Sequence, residues 1–140
     1  SPLSVAVTHL DGIVVARSAF NSSANYRSVV IHGMGRPLDG REKVDAFDRI
    51  VDKLIPGRLA DLRPSTSSEI AQTSVIELAL DQVSAKVRSG GPVDDPSDLS
   101  QEVWAGVIPM ELVAGEAIPA PDLRAGIEMP DYLRPYLRWS

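Results

Sequence analysis

The chain has 140 residues, 44% of them hydrophobic and 24% charged, with a net charge of −5 and no cysteine. This length suits one domain that buries a core without staples, the missing cysteines exclude disulfides and thiolate chemistry, and an acidic surface argues against general nucleic-acid binding because it repels phosphate backbones. No apolar run approaches a membrane span and no basic residue precedes the first apolar stretch, so neither a membrane segment nor a signal peptide is expected, and a reducing cytoplasm fits the composition.

Residues 3–10 alternate, with Leu3, Val5 and Val7 on one side and Ser4, Ala6 and Thr8 on the other, which is strand periodicity. Asp11-Gly12 reads as a tight hairpin turn, since this dipeptide tolerates positive φ, and residues 13–16 as the returning strand. Residues 18–24 are small and polar and read as a loop. A further strand spans residues 26–34 around Val29, Val30 and Ile31, where Gly33 and Gly35 mark a bulge or a close backbone approach. Asp39 followed by Glu42 resembles a capping box. It opens a helix over about residues 40–55, whose apolar face is Val44, Phe47, Ile50, Val51 and Leu54. Pro56-Gly57 stops it.

Thr66 or Ser67 caps a short helix that ends at Gln72. Residues 74–87 read best as one long strand, and the Gly-, Pro- and Asp-rich residues 89–101 as an exposed loop. Residues 103–113 form a strand with Pro109 at an edge or bulge. From Pro119 the tail is proline-rich, and Asp131 caps a last short helix bearing Tyr132, Leu133, Tyr136 and Leu137. The whole of residues 1–140 reads as a single, mainly β domain: an antiparallel barrel with one long and one or two short helices outside it.

Three segments carry a family resemblance: Asn25-Tyr26-Arg27-Ser28-Val29, Ser84-Ala85-Lys86-Val87-Arg88 and Trp104-Ala105-Gly106-Val107. With Gly33, the capped helix and the Gly91–Asp94 loop, their order resembles the FMN-binding split barrels of the pyridoxamine 5′-phosphate oxidase-like superfamily, in its nitroimidazole-resistance branch. The resemblance covers nearly the whole chain. It implies an FMN-dependent oxidoreductase acting on a small molecule, and a homodimer. Members of that family usually carry further strands before the one that opens this chain, and those strands hold much of the flavin-phosphate site. The expected barrel is therefore incomplete at its N-terminus, with open edges that a partner chain would cover.

A flavin phosphate calls for Arg, Lys, hydroxyls or backbone N–H groups, and the flavin ring for an apolar wall with a few donors. By the resemblance, Ser18, Asn25, Tyr26, Arg27 and Ser28 would line the ring, Lys86 and Arg88 would supply positive charge, and Trp104 would wall the cofactor in. Plainer roles stand beside these. Tyr26 also suits a half-buried strand, Arg27 a surface ion pair, Asn25 a local bond at the strand start, Lys86 a solvated face and Trp104 a core. The loop residues Asp94 and Asp95 read as solvated. No residue stands out as a general acid or base. His9 and His32 show no ligand spacing, so no metal site is expected. Two other readings remain: a non-catalytic module that holds or stores flavin or haem, and a truncated fragment that dimerises and binds no cofactor.

Overall fold

The computed structural model describes residues 1–139, with side chains for residues 1–135. The backbone divides into two compact units. One comprises Ser1–Gly35 and Leu78–Leu112; the other comprises Arg36–Glu77 and the chain from Val113 onward.

The first unit is a four-stranded antiparallel sheet built from β1 (Pro2–Val15), β2 (Ser23–Met34), β5 (Gln82–Arg88) and β6 (Gly106–Pro109), in the order β5-β2-β1-β6. β-Branched residues recur in each of the three long strands, as a pleated, half-buried surface favours. The expected hairpin at Asp11-Gly12 does not form. β1 runs through it as one strand of 14 residues, and the true reversal is the turn over residues 16–22. There Ser18 shapes the turn: its Oγ accepts from the Asn21 N–H at 3.2 Å, and its carbonyl accepts from the Ser22 N–H at 3.2 Å and the Ser22 hydroxyl at 2.9 Å.

At Asp11 the strand bulges. Leu10 stands opposite Tyr26 and Gly12 opposite Asn25, so Asp11 is the extra residue. The glycine serves close approach rather than a turn, for it does not take a positive φ. A Cβ there would meet Val107 Cγ1 at 3.1 Å and the Ile108 carbonyl at 3.2 Å. The bulge also changes which side each residue faces. Thr8 and Leu10 share a face with Tyr26 and Ser28, whereas Gly12 and Val14 lie on the opposite face with Asn25 and Arg27. Val14, 1% exposed, is the most deeply buried apolar side chain described.

The expected long strand over residues 74–87 is broken. Its first part is a two-residue strand of the second unit, and only Gln82–Arg88 joins the sheet. At the intervening Leu78, the side chain packs where Gly33 lacks one, 2.8 Å from the position a Cβ would take. The close approach at Gly33 is thus made by a side chain, where a bulge or a backbone approach was expected. The strand expected over residues 103–113 shrinks to Gly106–Pro109, paired to β1 alone. Pro109, without a ladder donor, ends it. Asp94 is not solvated as expected. Its side chain is 1% exposed and accepts from the Arg17 backbone N–H and from Arg17 Nη1, both at 2.9 Å. Asp95 instead caps a 3-10 turn, Pro96–Asp98, through the Ser97 N–H at 2.9 Å.

The second unit holds β3 (Arg36–Pro37) paired with β4 (Ile76–Glu77), α1 (Gly40–Leu54) and α2 (Ser67–Gln72). Leu38 and Val75 are its buried apolar residues, joined by Leu38 N–H to Val75 carbonyl at 2.9 Å. The expected capping box at Asp39 is absent, as the Asp39 side chain caps nothing. Glu42 is held instead by Arg36, whose guanidinium reaches Glu42 at 2.7 and 2.9 Å and Glu77 at 2.6 Å. A positively charged fork competes for Glu42 better than a backbone N–H does.

The box forms at α2, where Thr66 Oγ1 accepts from the Glu69 N–H and Glu69 Oε2 from the Thr66 N–H. Arg63 and that N–H push the Glu69 carboxyl down from 4.5 to about 2. A carboxyl lowered on folding supports the helix above its ordinary range and loses that support as pH falls toward the lowered value. Thr66→Ala is expected to cost about 1 kcal/mol in urea unfolding. In the wild type, the α2 amide signals are expected to hold steady at neutral pH and move only between pH 4.5 and about 2. Movement centred on pH 4.5 would contradict the pairing.

A 3-10 turn, Arg58–Asp61, follows Gly57 at φ 87°. Tyr132 holds it: Arg58 Nη1 donates to the Tyr132 hydroxyl at 2.9 Å, and that hydroxyl donates to Asp61. The last helical segment is Asp131–Trp139, of 3-10 type. The side chains of Tyr136 and Leu137 lie outside the described residues. Among the described residues no helix is long and apolar enough to cross a membrane.

Candidate functional site

β2 is central to the first unit, so its side chains meet neighbours on both sides. Thr8, Ser28 and Lys86 form one cross-strand row, and Leu10, Tyr26 and Arg88 form the next. Directly opposed residues bring their Cβ atoms within roughly 5 Å, so the two rows make a continuous patch on one face. The Thr8 and Ser28 hydroxyls lie 3.0 Å apart. They share one hydrogen bond and keep a further O–H and lone pairs for another partner. Lys86 Nζ stands 6.0 Å from the centre of the Tyr26 ring, within cation–π range. Arg88 Nη1 donates to the Ala24 carbonyl at 3.2 Å. On the same face Ile13 pairs with Ile108, and these two with Leu10 are left partly exposed as an apolar flank.

The charges of this unit divide cleanly. Arg17 is taken by Asp94 and Arg27 by Asp11. Lys86 and Arg88 have no carboxylate partner among the described residues, and they share one face. Arg27 lies on the other face. Its Nε and Nη2 grip Asp11 at 3.0 Å, which holds the Asp11 carboxyl below its usual value and raises the guanidinium's own.

Asn25 also lies on the far face, buried. Its Nδ2 donates to the Gly90 carbonyl at 3.0 Å, while its Oδ1 has no partner among the described residues. Trp104, 65% exposed, lies against Gly106. Of the residues singled out in the sequence, Tyr26, Ser28, Lys86 and Arg88 are thus gathered on one face, and Asn25 and Arg27 are turned away from it. Ser18 is engaged in the turn. Thr8, Leu10, Ile13 and Ile108 join the patch without having been anticipated. Thr8 already sat on the polar side of the β1 alternation, but which strand it would face was not readable. His9 and His32 point to opposite faces, and the described residues hold no cluster of metal-ligating side chains.

Residues 1–87 match the family model described as pyridoxamine 5′-phosphate oxidase, and the chain belongs to that family. It is similar to the structure of the FAD and heme binding protein from Mycobacterium smegmatis, at 40% identity and a TM-score of 0.91, over 97% of this chain and 67% of that one. It is also similar to the flavocytochrome Anf3 from Azotobacter vinelandii, at 36% identity and a TM-score of 0.89, over 95% of this chain and 63% of that one. The chain thus spans about two-thirds of the length of each, and the fold is the antiparallel split barrel that they share. No curated protein matches the chain.

Proposed function

We propose that the chain binds a flavin nucleotide on the face formed by Thr8, Tyr26, Ser28, Lys86 and Arg88, and that it serves as an oxidoreductase acting on a small molecule. The carrying observation is charge. Lys86 and Arg88 are the two lysine or arginine side chains of the first unit without a carboxylate partner among the described residues, and they flank hydroxyls with donor capacity to spare. This donor set fits a phosphate or the electron-rich edge of a flavin ring, and Leu10, Ile13 and Ile108 offer a flat ring an apolar surface. A bound flavin would supply hydride transfer. The protein's own residues would fix its position and favour its anionic reduced form through the nearby positive charge.

FMN is the form the sequence resemblance implies. FAD, named for the Mycobacterium smegmatis relative, contains the same ring, ribityl chain and first phosphate. The test is titration of the purified chain with each, followed by addition of a nicotinamide donor. Quenched flavin fluorescence and bleaching of the bound flavin are expected. A protein that stays colourless and leaves both flavins unquenched would overturn the reading. Tighter binding of FAD than of FMN would reassign the nucleotide and leave the face in place.

A second reading, a module that holds flavin or haem without turnover, draws on the names of both relatives. One chain offers a single histidine to each sheet face, since His9 and His32 are opposed. A Soret band on adding haem, with no bleaching of flavin by the nicotinamide donor, would favour it. We further propose a cytoplasmic homodimer. The face opposite the flavin patch carries two cross-strand apolar rows, Val5-Ile31-Val83 and Val7-Val29-Ala85. Val5, Val7 and Val83 are each exposed by more than two-fifths, and an apolar patch of this kind marks an interaction surface. Sedimentation as a monomer at micromolar concentration would remove the dimer.

A further inference from the structure

The second unit contains a cleft of about 790 Å³ that the proposed flavin face does not use. Phe47 and Val51 of α1 form one wall, and Leu59 and Leu62, in and just after the 3-10 turn, form another. The rim is polar: Asp48, Arg63, Ser65, Glu69, Gln72 and Thr73. A volume of this size, apolar inside with a few polar groups at its edge, is the form of small-molecule sites.

The bonding of the rim decides which molecule fits. Arg63 is consumed by Glu69, with Nη1 and Nη2 reaching its two oxygens at 3.0 and 2.7 Å. The Gln72 amide nitrogen donates to the Ser68 carbonyl and hydroxyl at 3.2 and 3.1 Å, and the Thr73 hydroxyl donates to the Glu69 carbonyl at 2.9 Å. Arg63 is therefore neutralised and the Gln72 and Thr73 donors are engaged, which leaves the Ser65 hydroxyl as a neutral donor. The Asp48 carboxylate and the Gln72 amide oxygen remain as acceptors, and Asp48 makes no ion pair among the described residues. Its helical neighbours do not compensate it. Positions three before and four after are Asp45 and Asp52, and positions four before and three after are Val44 and Val51.

We infer that this cleft is a second ligand site, taking an organic ammonium ion with an aromatic or branched aliphatic body. The body rests between Phe47, Val51, Leu59 and Leu62, and the ammonium group donates to Asp48. An anion of the same shape meets the surplus Asp48 carboxylate, with only neutral or already paired donors to offset it, so it is rejected.

The test uses two probes with one body and opposite charge, 4-phenylbutylamine and 4-phenylbutyrate, added to the isotopically labelled full chain and followed by NMR. The amine is expected to shift the amides of Val51, Leu59, Leu62 and Gln72 in a saturable way, and the acid to leave them in place. Asp48→Asn, which preserves shape, is expected to weaken the amine about tenfold, since a charged hydrogen bond becomes a neutral one. Val51→Trp, which fills the cleft, is expected to abolish it. No shifts with amine at about 10 mM, the weak limit for a fragment-sized ligand, would overturn the proposal. So would equal binding of amine and acid, or unchanged affinity in the folded Asp48→Asn variant. Flavin titration of the same samples is expected to be unaffected by either probe, and failure of flavin binding would leave this result standing.

Discussion

Replacing Lys86 and Arg88 together by alanine is expected to abolish flavin binding at concentrations that saturate the wild type. Each side chain would make a charge-assisted hydrogen bond to an anionic group, and such bonds contribute about 1.5–3 kcal/mol. Either single alanine variant should then weaken binding by roughly ten- to a hundredfold. Both cations sit on a partly exposed face, so the wild-type affinity should also fall as salt rises. The discriminating control is Arg27→Ala. Arg27 carries the same charge on the neighbouring strand, but it faces the other way and is held by Asp11. It should leave flavin affinity nearly unchanged. Equal losses for Arg27 and Lys86 in fluorescence titration would show that only bulk charge matters, and an unaltered Lys86→Ala/Arg88→Ala protein would remove this face from the site.

Asp94→Ala is expected to be the most damaging single substitution in the loop between β5 and β6. Asp94 satisfies two groups of Arg17, the backbone N–H and Nη1, while Arg17 Nε is already buried without a partner among the described residues. Removing the carboxylate leaves a partly buried guanidinium with neither a counter-charge nor an acceptor, a change that costs about 3–5 kcal/mol. For a chain of this length that amounts to a fall in Tm of roughly 10 °C or more. Asp94→Asn should lose less, since it keeps one acceptor for the N–H. Thermal unfolding followed by circular dichroism measures both, and an alanine variant melting within about 2 °C of the wild type would contradict the argument.

Much of the fold could be read from local signals. Alternation in residues 3–10, the apolar spacing from Val44 to Leu54 and the cap at Thr66 each rest on contacts within a few residues, and each was legible, although the partnership of Thr66 with Glu69 was not anticipated. What failed depended on partners distant in sequence. Asp11-Gly12 has the chemistry of a hairpin turn, but Asn25 on one side and Pro109 on the other draw it into the sheet. Glu42 has the spacing of a capping residue, but Arg36 claims it. Asp94 lies among loop residues, and only the return of Arg17 from far along the chain buries it. For the candidate site, the motif strands were legible and their pairing less so. Tyr26 with Arg88 and Ser28 with Lys86 are adjacent because β5 settles beside β2, and that register depends on the whole sheet. Arg27 and Ser28 are consecutive in sequence and opposite in facing, so a motif read as a string merges two surfaces that the pleat keeps apart.

The extra residue at Asp11 works as a half-step in phase. Before it, the odd-numbered residues of β1 share the side of the sheet that Arg27 occupies; beyond it, the even-numbered ones do. Were Asp11 instead drawn into even pairing opposite Asn25, Val14 would move from the protein's interior onto the same side as Lys86, while Ile13 moved inward. Ironing the bulge out with residue 11 retained should therefore be far more disruptive than losing Asp11 itself, which leaves Gly12 opposite Asn25 and Val14 inward, and relatives that keep the bulge should keep the spacing between Thr8 and Val14 even where the residues themselves have drifted.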